Sequence, residues 1–303
     1  MRICSLLPGI TDTVIALGAV DSLVGVTHAC DIPDSCSAQV VTGSRITYGQ
    51  GSAGIDRQVR HASSSLFDLD TELLEQLQPD LILTQTLCSV CAVDENLVRE
   101  VADDFSWQVE IRSFQPTTVA SLIEMIQEIG VVVRQQEKTV QWLHQLQGLL
   151  DSMSDHNKNR RKIKTLFLEW MSPPFTSGHW IPELIEMAGG IEMLGRTGHA
   201  SVGTSWGDVR AQQAEVIVLA PCGYTINQSL EESVIIQREL SSVRHLEMQG
   251  VRIFLADGNR FFNRPGTNLT GALKILHHSI QGEKLDWNYA DYVKELTHNI
   301  SGR

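Results

Sequence analysis

Gln78-Pro79-Asp80-Leu81-Ile82-Leu83-Thr84-Gln85 decides how this chain is read. Proline ends the helical spacing of Asp70 to Leu77, and the apolar run behind it, Leu81 to Thr84, has the length and turn-flanked character of a buried strand. Helical spacing resumes from about Asp94 to Ala102, and Gln108 to Ile111 reads as another short strand. The same alternation lies upstream. Ile3 to Leu7 reads as a first strand, Pro8-Gly9 as a turn, Asp12 to Leu17 as a helix capped by Thr11 or Asp12, and Leu23 to Thr27 as a second strand. A Gly- and Ser-rich stretch, Gly43 to Gly54, carries no periodicity. Strands alternating with helices predict a parallel sheet.

From Pro116 to Met153 the period changes. Val119, Leu122, Ile126 and Ile129, then Val140, Leu143, Leu146 and Leu150, recur at helical spacing around Gly130, which predicts one long helix or two stacked ones. A charged segment, Ser154 to Lys164, ends it and a second alternating series begins. Its strands are Thr165 to Leu168, Val216 to Leu219 and Val251 to Leu255; its helices lie near Pro182 to Met187, Asp208 to Gln212, Leu230 to Leu240 and Thr267 to Ile280. The expected fold class is α/β, with two βα lobes built on open sheets, joined by a long connecting helix, and a ligand cleft between them. The expected boundaries are residues 1–115 for the first lobe, 116–158 for the connection and 159–303 for the second lobe.

Composition excludes several function classes. The 303-residue chain carries 24 basic against 36 acidic residues, a net charge of −12, with no basic run longer than Asn159-Arg160-Arg161-Lys162, so nucleic acid is not an expected partner. No apolar stretch reaches the roughly 20 residues that span a bilayer. Met1-Arg2 leads straight into a strand-like run with no basic and apolar leader pattern. The expectation is therefore a cytoplasmic protein, with its 6 cysteines as thiols, metal ligands or redox groups.

Those cysteines sit at strand ends. Cys30 follows the strand Leu23 to Thr27, Cys88-Ser-Val-Cys91 follows Leu81 to Thr84, and Cys222 follows Val216 to Leu219. Ligands of open α/β sheets bind beyond the carboxyl ends of the strands, so the four sulfurs are expected to meet in one site. Soft thiolates from both lobes would select zinc, an iron–sulfur cluster or copper(I) over calcium or magnesium. Cys88-Ser-Val-Cys91 is also compatible with thiol redox exchange or with plain packing. Cys36 stands further out in the same loop, and Cys4 reads as core.

Three further clusters face the expected cleft. His28 and Asp31 flank Cys30 as a substitute ligand or an orienting group. Between a strand and the helix at Pro182, Trp170, Phe175 and Trp180 offer a flat apolar surface for a planar or macrocyclic ligand, or else brace a Pro-rich loop. His179 there is suited to coordinate a metal within such a ligand or to act as acid or base, and Glu183 stands four residues on. In Asp257-Gly-Asn259-Arg-Phe-Phe-Asn-Arg264-Pro265, Pro265 fits a first helical turn, so Arg264 is expected beside free backbone N–H groups as an anion dock, with a plain surface arginine as the alternative.

The order of these motifs, from Val24-Gly-Val-Thr-His-Ala-Cys-Asp-Ile-Pro33 through Gln78–Gln85, the long helix, Leu168-Glu-Trp170, Gly178–Gly190, Ala214–Gly223 and Val251–Gly266, resembles the helical-backbone class of ABC-importer substrate-binding proteins. That class includes cobalamin- and ferric-siderophore-binding proteins. Within it the chain is similar to cobalamin-binding-protein homologues with a Cys-x-x-Cys after a lobe-one strand and Pro-Cys-Gly after a lobe-two strand. The resemblance, running from Arg2 to about His278, implies two lobes bridged by a rigid helix with little hinge motion. Lacking a visible leader, the chain makes an importer a doubtful partner. Two functions are expected: a cytosolic binding protein for a corrinoid such as cobalamin, another tetrapyrrole or a metal chelate; or a metalloenzyme or iron–sulfur protein with its centre on Cys30, Cys88, Cys91 and Cys222. In the second, His179 or Glu183 assists at an open position. A Ser-His-Asp hydrolase is disfavoured, since no Gly-x-Ser-x-Gly elbow follows a strand.

Overall fold

The computed structural model describes residues 1–47, 49–62, 65–86, 93, 95–232, 250–283 and 291–296. Strand β1 (Ile3–Ser5) is buried on both faces, which suits the centre of a parallel sheet and no other place in a layered fold. Helix α1 (Pro8–Ala16) starts at once: Pro8 occupies its first turn, where a missing N–H costs nothing, and Ile10 and Val14 face the core at i, i+4 spacing. The expected Pro8-Gly9 turn is thus helix. A 3-10 turn leads to β2 (Leu23–Val26), and β3 (Gln39–Val40) follows the Cys30 loop.

Strands β4 (Thr42–Ser44) and β5 (Phe67–Leu69) form a separate antiparallel pair, and between them lies α2 (Gly51–His61). This element falls partly in the stretch whose Gly and Ser content reads as loop. Helix α3 (Thr71–Leu77) is capped by Asp70, whose carboxylate accepts from Leu73 N at 2.9 Å, and ends at Gln78 in a left-handed turn before Pro79. Strand β6 (Leu81–Gln85), α4 (Glu95–Asp103) and β7 (Glu110–Phe114) complete the first lobe, with sheet order β3-β2-β1-β6-β7.

The connection is two helices, α5 (Val119–Val132) and α6 (Gln136–Asn157), broken at Arg134, which has φ +58°. Thr118 and Ser121 form a reciprocal capping box at the start of α5. The second lobe runs β8 (Ile163–Met171), β9 (Pro174–Thr176), α7 (Ile181–Met187), β10 (Gly190–Glu192), α8 (Trp206–Ala211), β11 (Val216–Leu219), α9 (Ile226–Glu231), β12 (Arg252–Ala256), α10 (Leu269–Gln281) and β13 (Val293–Glu295). Its sheet order is β10-β8-β11-β12-β13, with β9 folded back on β8 and β13 antiparallel at the edge. The short β9, β10 and β13 carry no apolar run of their own, so periodicity does not announce them. Helix α9 begins earlier than the expected Leu230; the remainder of that expected helix lies outside the described residues.

Each sheet has a point where strand order reverses. The chain leaves β1 for β2 on one side and returns to β6 on the other; it leaves β8 for β10 and returns to β11. Crevices at such points, beyond the carboxyl ends, are where this architecture binds ligands. One apolar cluster runs through both lobes, taking Ile3, Leu7 and Ile10 from the first and Phe167, Val218 and Phe262 from the second. Lobes that share a core are not free to swing as separate domains.

Candidate ligand-binding site

Arg264 shows that the carboxyl ends of the two sheets face each other. It follows β12, yet its Nη1 lies 2.9 Å from Asp31 Oδ2 and 3.3 Å from Asp12 Oδ2, both in loops or helices that leave lobe-one strands. Its Nη2 donates to Ala29 O at 3.0 Å and to Asn259 Oδ1 at 3.2 Å. With its side chain only 4% exposed, this guanidinium is neither a surface group nor an open anion dock. Helix α10 starts at Leu269, so Arg264 is not at a helix start. Its hydrogen bonds join the lobes. Asn268 Nδ2 donates to the same Asp12 carboxylate at 2.9 Å, and burial pushes the Asp12 carboxyl above its ordinary range while Arg264 pulls it back. Gly9 is required here: a Cβ on it would stand 2.3 Å from Pro265 O, so α1 meets the second lobe backbone to backbone.

On the lobe-two side, β8 ends in Glu169, Trp170 and Met171. Trp170 is half-buried and stands edge-on to Tyr224, ring centroids 5.4 Å apart, a pair that leaves indole surface at the strand end. Phe175 is also half-buried, bridging to Gly203. Trp180, expected beside them, is 5% exposed and belongs to the core. His179 has φ +52°, a strained conformation for a non-glycine residue, fixed because its N donates to His199 O at 2.7 Å and its O accepts from Gly198 N at 3.0 Å. Its Nδ1 is buried with no hydrogen-bond partner among the described residues, and burial lowers the ring's pKa, keeping it neutral. Glu183 does not join it: its Oε2 accepts from Val119 N at 2.6 Å, tying α7 to the first turn of α5.

His28 is also occupied. Its Nδ1 is 2.8 Å from Thr42 Oγ1, its ring packs on Phe67, and burial lowers its pKa. Asp31 remains exposed beyond its contact with Arg264.

The thiols behave differently from expectation. Cys30 Sγ donates to Thr11 Oγ1 at 3.1 Å, and burial pushes its pKa up to about 11, so it is held as a thiol where a metal ligand would be a thiolate. Cys222 N donates to Glu169 O, and Cys4 is buried core. Cys88 and Cys91 lie outside the described residues. Among the described residues no group of three or more His, Cys, Asp or Glu side chains is placed to hold a metal ion, and an iron–sulfur or zinc centre finds no support.

Two carboxylates were not singled out by their spacing. Glu169 accepts from Gly178 N at 2.9 Å and is pushed up to about 7 by burial, with Glu192 nearby adding to the rise. Asp257 accepts from Arg260 N at 2.8 Å and Ile226 N at 3.2 Å, pinning the loops after β11 and β12 together. Their signal was weak, since a lone acid at a strand end has no spacing to recognise.

The fold is shared with proteins of known structure. A sequence profile described as periplasmic binding protein matches residues 3–243. An ABC transporter substrate-binding protein from Listeria monocytogenes superposes with a TM-score of 0.68 at 16% identity, over 93% of this chain and 99% of that one. A periplasmic vitamin B12 binding protein of Vibrio cholerae gives 0.64 at 18% identity, over 92% and 96%. A periplasmic heme binding protein from Pseudomonas aeruginosa gives 0.67 at 13%, over 97% of each chain. Comparison with curated proteins gives no match. These findings overturn the cytoplasmic expectation, because the family and these neighbours are periplasmic or extracytoplasmic. That expectation leaned on the first residues alone. They form a buried central strand, and its packing says nothing of where the protein works. The matched span and the two lobes bridged by α5 and α6 agree: the chain belongs to the periplasmic binding protein family, in the helical-backbone class of ABC-importer substrate-binding proteins.

Proposed function

We propose that this protein captures a corrinoid, tetrapyrrole or other metal chelate in the gap between its lobes and presents it to an importer. Family membership supplies the general role. The observation that carries the ligand class is the lobe-two strand end, where Trp170 offers an aromatic face and the half-buried, neutral His179 ring is held in a strained backbone. A flat macrocycle with a central metal uses both features, one for stacking and one for axial coordination. The neighbours named for vitamin B12 and heme support the same class.

Purified protein titrated with hemin and with cyanocobalamin tests the reading. Binding of either should shift the ligand's visible spectrum and raise Tm, because a ligand that binds only the folded state stabilises it. Trp170→Ala should weaken that binding about tenfold, the equivalent of one aromatic contact. No spectral or thermal response to either probe removes this ligand class.

A further inference from the structure

The lobes are fastened together, so admission of a ligand to the gap needs another moving part. The Arg264 contacts, the backbone approach at Gly9 and the shared core all resist a change in the angle between the sheets. Helix α2 is held quite differently. It is the tip of an arm whose stem is the two-stranded β4–β5 pair of lobe one, and it lies against β8 of lobe two. β8 is the strand from which lobe two's order reverses, and it carries Trp170 next to its carboxyl end.

The attachment is light. Of α2, only Ser52, Gly54 and Ile55 are buried, and Ile55 joins none of the apolar clusters among the described residues. The Ser52 hydroxyl is buried with no hydrogen-bond partner among the described residues. Within itself the arm is well braced. Gln58 accepts from Thr47 N at 2.8 Å and donates to Thr47 O at 2.9 Å, and Asp56 pairs with Arg60 at 2.9 Å. Such an element moves as a unit, about an entry at Gly49, whose φ of +90° suits glycine.

We propose that α2 is a third wall of the binding gap and the part that lifts to admit the ligand. The inference rests on the ligand-binding reading above and adds to it the element that controls access. A ligand stacked on Trp170 would lie beneath α2, and the Ser52 hydroxyl would supply a polar contact to its edge.

Hydrogen exchange on the full chain, without added ligand, decides the mobility. Amides of α2 should exchange at least about 100-fold faster than those of α1 and α10, as locally opening elements do, and Ile55→Asp should speed α2 further while leaving α1 and α10 unchanged. Protection of α2 equal to that of α1 overturns the proposal. The second arm is stopped-flow binding of hemin or cyanocobalamin, whichever the wild type binds. Ile55→Asp, or Ile55→Ala should the aspartate variant not fold, should raise the association rate constant about fivefold or more, because less opening energy is needed. An unchanged rate constant overturns the access role. If the wild type binds neither probe, the ligand class fails, and the exchange result alone still supports or overturns a lifting α2.

Discussion

The Arg264 junction and the α2 arm both cross from one lobe to the other, by opposite means. At the junction a buried guanidinium sits between two aspartates and a backbone carbonyl, and α1 meets Pro265 so closely that no Cβ fits at Gly9. At the arm, α2 buries one isoleucine and two small residues and lies against β8. Buried charge is costly to uncover once its partner is removed, whereas a few apolar contacts separate at little cost. The same molecule thus has one crossing built to hold and one built to part. In a binding protein whose lobes share a core, that division puts motion where it does not disturb the core.

Unequal responses to substitution would establish this contrast, and equal ones would break it. The largest effect is expected for Arg264→Ala, which takes from the largely buried Asp12 its ion-pair partner and leaves only the weaker attraction of Arg260. Urea unfolding should show a loss of about 3–5 kcal/mol. A loss below about 2 kcal/mol would place the junction on the same footing as the arm. Next is Gly9→Ala, whose methyl group must displace the Pro265 backbone; a loss of up to about 3 kcal/mol is expected in the same measurement. If it is silent, the close approach is not a constraint.

A contact between the connecting helix α6 and lobe two sharpens the picture through pH. His277 of α10 is 2% exposed, neither of its ring nitrogens has a hydrogen-bond partner among the described residues, and its ring lies 4.9 Å from that of His156 on α6. Burial first, and then His156, hold its pKa down at about 4; Arg160 and His278 add to the fall, and Glu283 opposes it. The unfolded chain therefore takes up this proton first as pH falls. Stability from the neutral ring is full above about 6.5 and is lost progressively towards 4, on the order of 2 kcal/mol in all. Glu169, raised from 4.5 to about 7, has the opposite sign, since the folded protein binds its proton more readily and stability rises as pH falls through that window. The readout is therefore the difference between wild type and His277→Leu. The variant should lack the acid-side loss, and parallel curves would exclude His277 as its source. The smallest effect is expected at the arm. Ile55→Ala should cost about 2 kcal/mol, the low end for truncating a buried isoleucine, because Ile55 belongs to none of the apolar clusters among the described residues. A loss equal to that at Gly9 would erase the distinction between the two crossings.

How much of this was legible in the residues varies by element. Pro79 between a capped helix and Leu81–Leu83 made β6 readable, and the period of Val119 to Leu150 made α5 and α6 readable, because both signals are local. Trp170 was legible as a strand-end aromatic. Trp180, ten residues on in the same motif, was not distinguishable from it, though it packs into the core. Arg264 reads as a cation near a helix start. Its partners Asp12 and Asp31 lie more than 230 residues away in sequence, and only folding brings them together.

The sequence alone determined the alternation of strand and helix, the two-lobed class and the placement of most site candidates at strand ends, since hydrophobic period and turn chemistry act over a few residues. Tertiary structure decided which candidates are spent on structural contacts, Arg264, Asn259 and Glu183 between parts of the chain and His28 within lobe one, and which are not, as with the half-buried Trp170. It also turned a Gly- and Ser-rich stretch into the arm that ends in α2. The physical reason is the same in each case: a side chain's task depends on which donors, acceptors and apolar surfaces meet it from distant parts of the chain, and no local pattern encodes that meeting.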